Sequence, residues 1–265
     1  MYGALIGDFV GSVYEGNNVK TKDFELLSRE SNFTDDSIMT LAVAKGIMDS
    51  IGESDEIIKA SVVDSMRLYG TKYPFAGYGG RFYNWLFSDD HEPYYSYGNG
   101  SAMRVSSIAW LFNDIDEVRR IAKLQAEVTH NHPEGIKGAE AVASAIFMAR
   151  TGSSKEEIKQ YIEKEFDYDL SRTVDEIRPT YTFDVSCQGS VPEAIICYLE
   201  GEDFEDVLRN AISLGGDSDT IAAMACSIAE GSMDIPWFFK SIIDIFLGND
   251  LYPIMKKFLQ QLQPL

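Results

Sequence analysis

Residues Gly135–Arg150, GIKGAEAVASAIFMAR, decide the reading of this chain. Apolar residues recur there at i, i+3, i+4 and i+7, the period of a helix and not of a strand. The segment is also rich in Ala and Gly, as is Thr220–Gly231, TIAAMACSIAEG. Small side chains let helices approach closely, so both are expected to be central helices. The same period runs through residues 41–50, 55–70, 105–112, 116–128, 154–166, 191–200, 204–215, 236–248 and 252–262. Start signals precede several of these: Ser54, Asp114, Pro133-Glu134, Ser153-Ser154 and Asp203. Alternating strand patterns are nearly absent, and RPTYTFDVSCQGS (178–190) reads as a short extended stretch or a loop. There is no repeat, linker or low-complexity stretch. The expected architecture is one compact all-α domain over residues 1–265.

The chain's 265 residues are ample for a sizeable core, and its 45% apolar and 12% aromatic content is that of a globular protein. No apolar run reaches the roughly 18 residues that span a bilayer. The start, MYGALIGDFVGSVYEG, has no basic leader and carries Asp8 early, so no signal peptide is expected. Asp and Glu outnumber Lys and Arg by 42 to 23, a formal net charge of −19. That balance argues against an extended nucleic-acid surface or an anionic membrane as partner, while leaving room for a small anion in a local pocket of donors. The three cysteines, Cys187, Cys197 and Cys226, show no CxxC spacing. Free thiols in a reducing compartment are expected, with cytoplasmic residence.

Two acidic clusters about 180 residues apart carry the chemistry. The first is Thr34-Asp35-Asp36. The second is Asp217-Ser218-Asp219-Thr220, after Gly215-Gly216. Each places carboxylates and a hydroxyl where a helix begins. Taken singly, each is explained by helix capping. A cap needs one such residue, however, and the matched composition of the two points to a shared site. Carboxylate and hydroxyl oxygens suit a hard cation such as Mg²⁺ or Mn²⁺, and clustered acids repel unless neutralised. Joined by the fold, the clusters make a one- or two-metal hydrolytic site.

Other residues have two readings each. Asp8 lies among apolar neighbours, and burial there demands hydrogen bonds or a metal. Glu15 lies two helical turns beyond it and reads from the residues alone as an exposed helix-end glutamate. Gly77, Gly79, Gly80, Gly98 and Gly100 permit positive φ and close backbone approach. GNGSAMR (98–104) is either an ordinary turn or, leading into a helix, a phosphate cradle. Arg104 then faces a phosphate or the solvent. His130 and His132 are a cap or loop pair, or ligands. Cys187 with His130 and Asn131 makes a thiol nucleophile conceivable, but nothing beside it lowers a thiol pKa.

GALIGDFVGSVYE, FTDDSIMT, GYGG, GNGSAMRV, THNHPEGIKGAEA and SLGGDSDTIAAMACSIAEG occur in this order from Gly3 to about Gly231. Together they resemble the ADP-ribosylglycohydrolase family. The resemblance implies an orthogonal all-α bundle with two Mg²⁺ or Mn²⁺ ions at the base of an ADP-ribose cleft. It implies metal ligation by Thr34, Asp35, Asp36, Asp217, Asp219 and Thr220. It places Glu15 near the metals and, with Asp35 and Asp36, among the candidate catalytic acids. It assigns Gly98, Asn99, Gly100, Ser101, Ala102 and Met103 to diphosphate and ribose binding, His130 to substrate contact, and Gly77-Tyr78-Gly79 to a loop flanking the cleft. The implied activity is hydrolysis of the glycosidic bond at the distal ribose C1 of an ADP-ribosylated protein or small molecule. A non-catalytic ADP-ribose reader with a structural metal site is the alternative. After about Met233 no motif of the family is found.

Overall fold

The computed structural model describes residues 1–262, and among them every named element is helical. The helices are α1 (Tyr2–Gly11), α2 (Asp35–Asp49), α3 (Asp55–Lys72), α4 (Gly80–Phe87), α5 (Gly100–Met103), α6 (Ile108–Leu111), α7 (Ile115–Glu127) and α8 (Pro133–Arg150). There follow α9 (Lys155–Phe166), α10 (Val174–Ile177), α11 (Cys187–Glu200), α12 (Phe204–Ser213), α13 (Ser218–Ala229), α14 (Trp237–Phe246) and α15 (Gly248–Gln261). A lone antiparallel bridge joins Gly98 to Ser186. Among the described residues no helix is long and apolar enough to cross a membrane.

All ten residues of α1 and all twelve of α13 are buried, so these two helices form the centre. They run antiparallel with their backbones almost touching. A Cβ on Gly3 or Gly7 would fall under 3.0 Å from backbone atoms of Cys226 or Ala222, and one on Gly11 would lie 2.5 Å from Asp219 Cα. Glycine every fourth residue makes a groove along one face of α1, into which α13 settles. Beyond the groove, the α13 C-cap Glu230 accepts from the N–H groups of Tyr2 (3.1 Å) and Gly3 (2.7 Å), satisfying donors that α1 itself cannot. The α8 segment quoted first, which also packs on α13, is likewise largely buried.

The expected helix starts hold. Ser54, Asp114, Ser154 and Asp203 are N-caps and Pro133 opens α8. Three expectations change. Residues 105–112 form only the single turn α6. The helix expected from Val191 starts at Cys187, because the Ser186 hydroxyl caps Gly189 N at 3.1 Å, and Pro192 is carried inside it. The first helix ends at Gly11, so Glu15 lies past its end and the two-turn relation to Asp8 does not exist. The stretch 178–186 is loop apart from its bridge to Gly98.

Candidate active site

Asp8 organises the first acidic cluster. Fully buried on α1, it accepts from Thr34 N (3.0 Å), Thr34 Oγ1 (2.6 Å) and Ser37 N (3.0 Å). Those donors belong to the first turn of α2, whose N-cap is Thr34. A carboxylate from another helix thus does much of the capping, and the side chains of Asp35 and Asp36 are free for other work. Asp36 Oδ2 accepts from Thr220 Oγ1 at 3.0 Å, while Asp36 Oδ1 is buried with no partner among the described residues. The second cluster is only partly spent on its own helix start, where Asp219 Oδ1 accepts from Thr220 N at 2.9 Å. Asp217 is the N-cap residue of α13 but makes no side-chain cap bond; its Oδ2 accepts instead from Asn99 Nδ2 at 2.7 Å. Gly215 and Gly216, both at φ +70°, deliver the chain into this turn. Successive left-handed residues are open to glycine and costly for other types. Gly216 N donates to Asn18 Oδ1, and Asn18 Nδ2 to Glu15 O, so the same turn holds the segment carrying Glu15.

The tertiary structure joins the clusters. Carboxylate oxygens of Asp8, Asp36 and Asp219 lie within 4.8 Å of one another, and so do those of Glu15, Asp217 and Asp219. Asp219 belongs to both groups. Burial pushes the Asp36 and Asp219 carboxyls well above the usual carboxylate range, with neighbouring acids adding to it. Asp35 is pushed up to about 8 by burial and then by Asp8 and Asp217. Glu15 moves the same way, from burial, Asp217 and Asp8. Such a set is unfavourable as bare anions, and an orphaned oxygen among hard oxygen donors fits one or two divalent cations.

These acids form one end of a cleft of about 430 Å³. Glu15, Thr34, Asp35, Asp36, Asp217, Asp219 and Thr220 line it, with Gly77, Gly79, Gly98, Asn99, Gly100, Met103 and His130. Three expected residues do not line it. Ser101 and Ala102 are fully buried, the Ser101 hydroxyl donating to Gly135 O at 2.7 Å, and Tyr78 packs its ring against Phe82. Residues not picked out from sequence also line it, including Arg81, Phe82, Tyr94, Phe183 and Val185. None of these belongs to a motif, so nothing in the sequence marked them.

The turn at 98–100 has a different logic from the one expected. Only Gly77 of the five cleft glycines has positive φ (+101°). Gly100 lies against His130, where a Cβ would come 3.1 Å from Nε2, and a Cβ on Gly98 would come 3.3 Å from Ser96 Oγ. Within the turn, Asn99 N is taken by Val185 O (2.8 Å) and Gly98 N by Ser96 Oγ (3.1 Å). The N–H groups of Gly100 and Ser101 make no hydrogen bond among the described residues. Ser101 is fully buried and the helix that follows is the single turn α5, so the free donor that this turn offers the cleft is the Gly100 N–H and not the end of a long helix. Gly100→Ala is expected to displace the imidazole and weaken ligand binding about tenfold, with cation affinity unchanged. Parallel calorimetric titrations with ADP-ribose, the ligand that the resemblance implies, and with Mn²⁺ measure both; equal loss of both would contradict it.

Two other candidates resolve. The His132 ring caps α8, accepting from Glu134 N at 3.1 Å, whereas His130 enters the cleft. Cys187 is fully buried, burial pushes its thiol up to about 12, and it donates to Gly98 O at 3.1 Å. A thiol so placed is not a nucleophile.

Residues 1–230 match the family model described as ADP-ribosylglycohydrolase. The chain is 29% identical to the "ADP-ribosylhydrolase ARH3" of Gallus gallus, over 86% of this chain and 82% of that protein. It is 27% identical to that of Homo sapiens, with the same coverage. An "Uncharacterized protein" of Archaeoglobus fulgidus is 32% identical over about half of each chain. Among solved structures, an "ADP-ribosylglycohydrolase-related protein complex" superposes with a TM-score of 0.70 at 22% identity, covering 95% of each chain. That likeness is one of fold.

Proposed function

Since the chain belongs to the ADP-ribosylglycohydrolase family of hydrolases, we propose that it frees ADP-ribose from a modified acceptor by hydrolysing the glycosidic bond at the distal ribose C1. The observation that carries this reading is Asp219, shared between two acid groups at one end of a cleft whose wall is the Gly98–Gly100 turn. Two Mg²⁺ or Mn²⁺ ions are the proposed cofactors, held by Asp36 and Asp219 with Asp8 or Thr34 on one side, and by Asp217 and Asp219 with Asp35, Thr220 or Glu15 on the other. When bound, they supply Lewis-acid polarisation and neutralise the clustered charge.

The chain's own residues do the rest. Gly100 N–H and His130 hold the diphosphate or ribose oxygens, remote from the reacting bond. Asn99 Nδ2 bonded to Asp217 couples that wall to the acid end, so substrate seated on the turn is aligned with the carboxylates. Departure of the acceptor builds positive charge at C1, which Asp35 and Asp36 stabilise. Glu15 is the most exposed of the acids, and burial with Asp217 and Asp8 raises its pKa, so it is assigned the proton transfer at its carboxylate. Acceptors attached to proteins or to small molecules both fit an open cleft. The three thiols are all buried and unpaired, which supports a reducing, cytoplasmic setting.

The test is release of free ADP-ribose from a panel of defined ADP-ribosyl linkages, with Mg²⁺, with Mn²⁺ and with EDTA. Turnover is expected on at least one linkage and is expected to vanish with EDTA. Glu15→Gln should keep ADP-ribose binding and lose about 10²-fold or more in kcat. Binding of ADP-ribose without turnover on any linkage would favour the reader instead.

A further inference from the structure

Arg104 has no part in the reading above, yet it lines the cleft, is only 1% exposed and has three of its five N–H donors committed. Nε donates to Gln125 Oε1 at 2.8 Å, and Nη2 donates to Gln125 O at 3.1 Å and to Thr129 Oγ1 at 2.8 Å. Gln125 Nε2 in turn donates to Ser101 O at 2.8 Å, beneath the glycine turn. Thr129 Oγ1 lies 2.7 Å from His130 Nδ1. This chain of contacts fixes where the imidazole proton sits. A guanidinium only donates, so Thr129 Oγ1 accepts from Arg104. A hydroxyl has one proton to give. Were Nδ1 protonated and donating to Thr129, that hydroxyl proton would have no acceptor among the described residues, in an interior where an unmade hydrogen bond is costly. The hydroxyl therefore donates to Nδ1, and the imidazole carries its proton on Nε2.

Nε2 faces the glycine turn. It has no protein partner among the described residues, although His130 is 5% exposed and lines the cleft. Beside it stands the unused N–H group of Gly100, a second donor at this corner. The charged groups facing the ring are Arg104 and Arg81, both cations, and Tyr94 lies against it at 5.8 Å. Burial and the two cations hold His130 well below its usual pKa, so a neutral ring persists through the physiological range.

We propose that Arg104 is a positioning residue: acting through Thr129, it locks His130 as the Nε2–H tautomer, so that the cleft meets an oxygen acceptor on the ligand with a neutral, preset donor. The tautomer stands on this network alone; that the acceptor is a phosphate or ribose oxygen rests on the ADP-ribose reading.

Nitrogen-15 imidazole spectra of the ligand-free wild type test the lock. Nε2 is expected to show the protonated, pyrrole-type shift and Nδ1 the bare, pyridine-type shift. Thr129→Val keeps the shape and loses the hydroxyl. It should mix the tautomers and raise KM about tenfold, the worth of one hydrogen bond, with kcat changed less than about threefold. Thr129→Ser should restore both spectrum and KM. Arg104→Lys, tested beside them because full removal of a buried cation endangers the fold, should also loosen the tautomer. A protonated Nδ1 in the wild type, or valine and serine variants with the same spectrum and KM, would overturn the proposal. A wild type with the expected spectrum and neither binding of ADP-ribose nor hydrolysis of any ADP-ribosyl linkage would support the lock and overturn the ADP-ribose reading alone.

Discussion

Asp219→Ala is expected to abolish turnover, by at least roughly 10³-fold, and to remove most of the stabilisation that divalent cations give. Asp219 is the one carboxylate in both acid groups, so its loss damages both cation sites together. Metal-free stability should move the other way, for an electrostatic reason. Asp35, Asp36 and Asp219 have folded pKa values raised above the unfolded value near 4. Between that value and the folded one, about 8 for Asp35, the folded protein binds more protons than the unfolded chain. Stability of the metal-free protein therefore falls as pH rises across this window. At pH 8 the metal-free Asp219→Ala protein, with one acid fewer, should melt at or above metal-free wild type. Wild type at cation concentrations about a hundred times Kd should gain roughly 3 kcal/mol, a shift of about 5–10 °C in Tm. Thermal melts at pH 5 and 8, with EDTA or Mn²⁺, read all of this. An Asp219→Ala protein that still gains the full shift from Mn²⁺ would refute the shared site.

Gly7→Ala should lower Tm by roughly 5–10 °C and reduce activity, although nothing at Gly7 touches a ligand. Helix propensity favours the substitution by about 1 kcal/mol. Packing opposes it, since the new Cβ would fall under 3.0 Å from the backbone of Ala222, which cannot rotate away. Overpacking against backbone costs about 3 kcal/mol or more, so packing wins. Forcing α1 off α13 also separates Asp8 from Asp219 and unsettles the α2 N-terminus that Asp8 holds. Calorimetric melts and a Mn²⁺ titration should therefore both degrade. A variant with raised Tm would mean that the helices are not in backbone contact there.

The helices were legible in the sequence because their cause is local. Periodicity at residues 135–150 and caps at Asp114, Ser154 and Asp203 act within a few residues, and the structure has them where the pattern puts them. Short elements escaped for the same reason: α4 and α10, of eight and four residues, are too brief to repeat a period. The helix read at 105–112 shrank to one turn. The two acidic clusters were visible as composition, but whether they were caps or ligands was not a local question. The fold relieves the first of part of its capping, since Asp8 supplies an acceptor from another helix, and it turns Asp217 of the second toward Asn99. The glycines at 3, 7 and 11 stood in plain view at fourfold spacing, yet what they meet is the backbone of residues more than two hundred positions away. The same holds for Arg104, whose sequence neighbours suggested phosphate or solvent and whose partners are Gln125 and Thr129. The sequence by itself determined which segments are helical and which residues can carry charge, proton or metal. Only the tertiary structure decided which donor meets which acceptor, because burial removes water as the alternative partner and makes each such pairing binding on the whole fold.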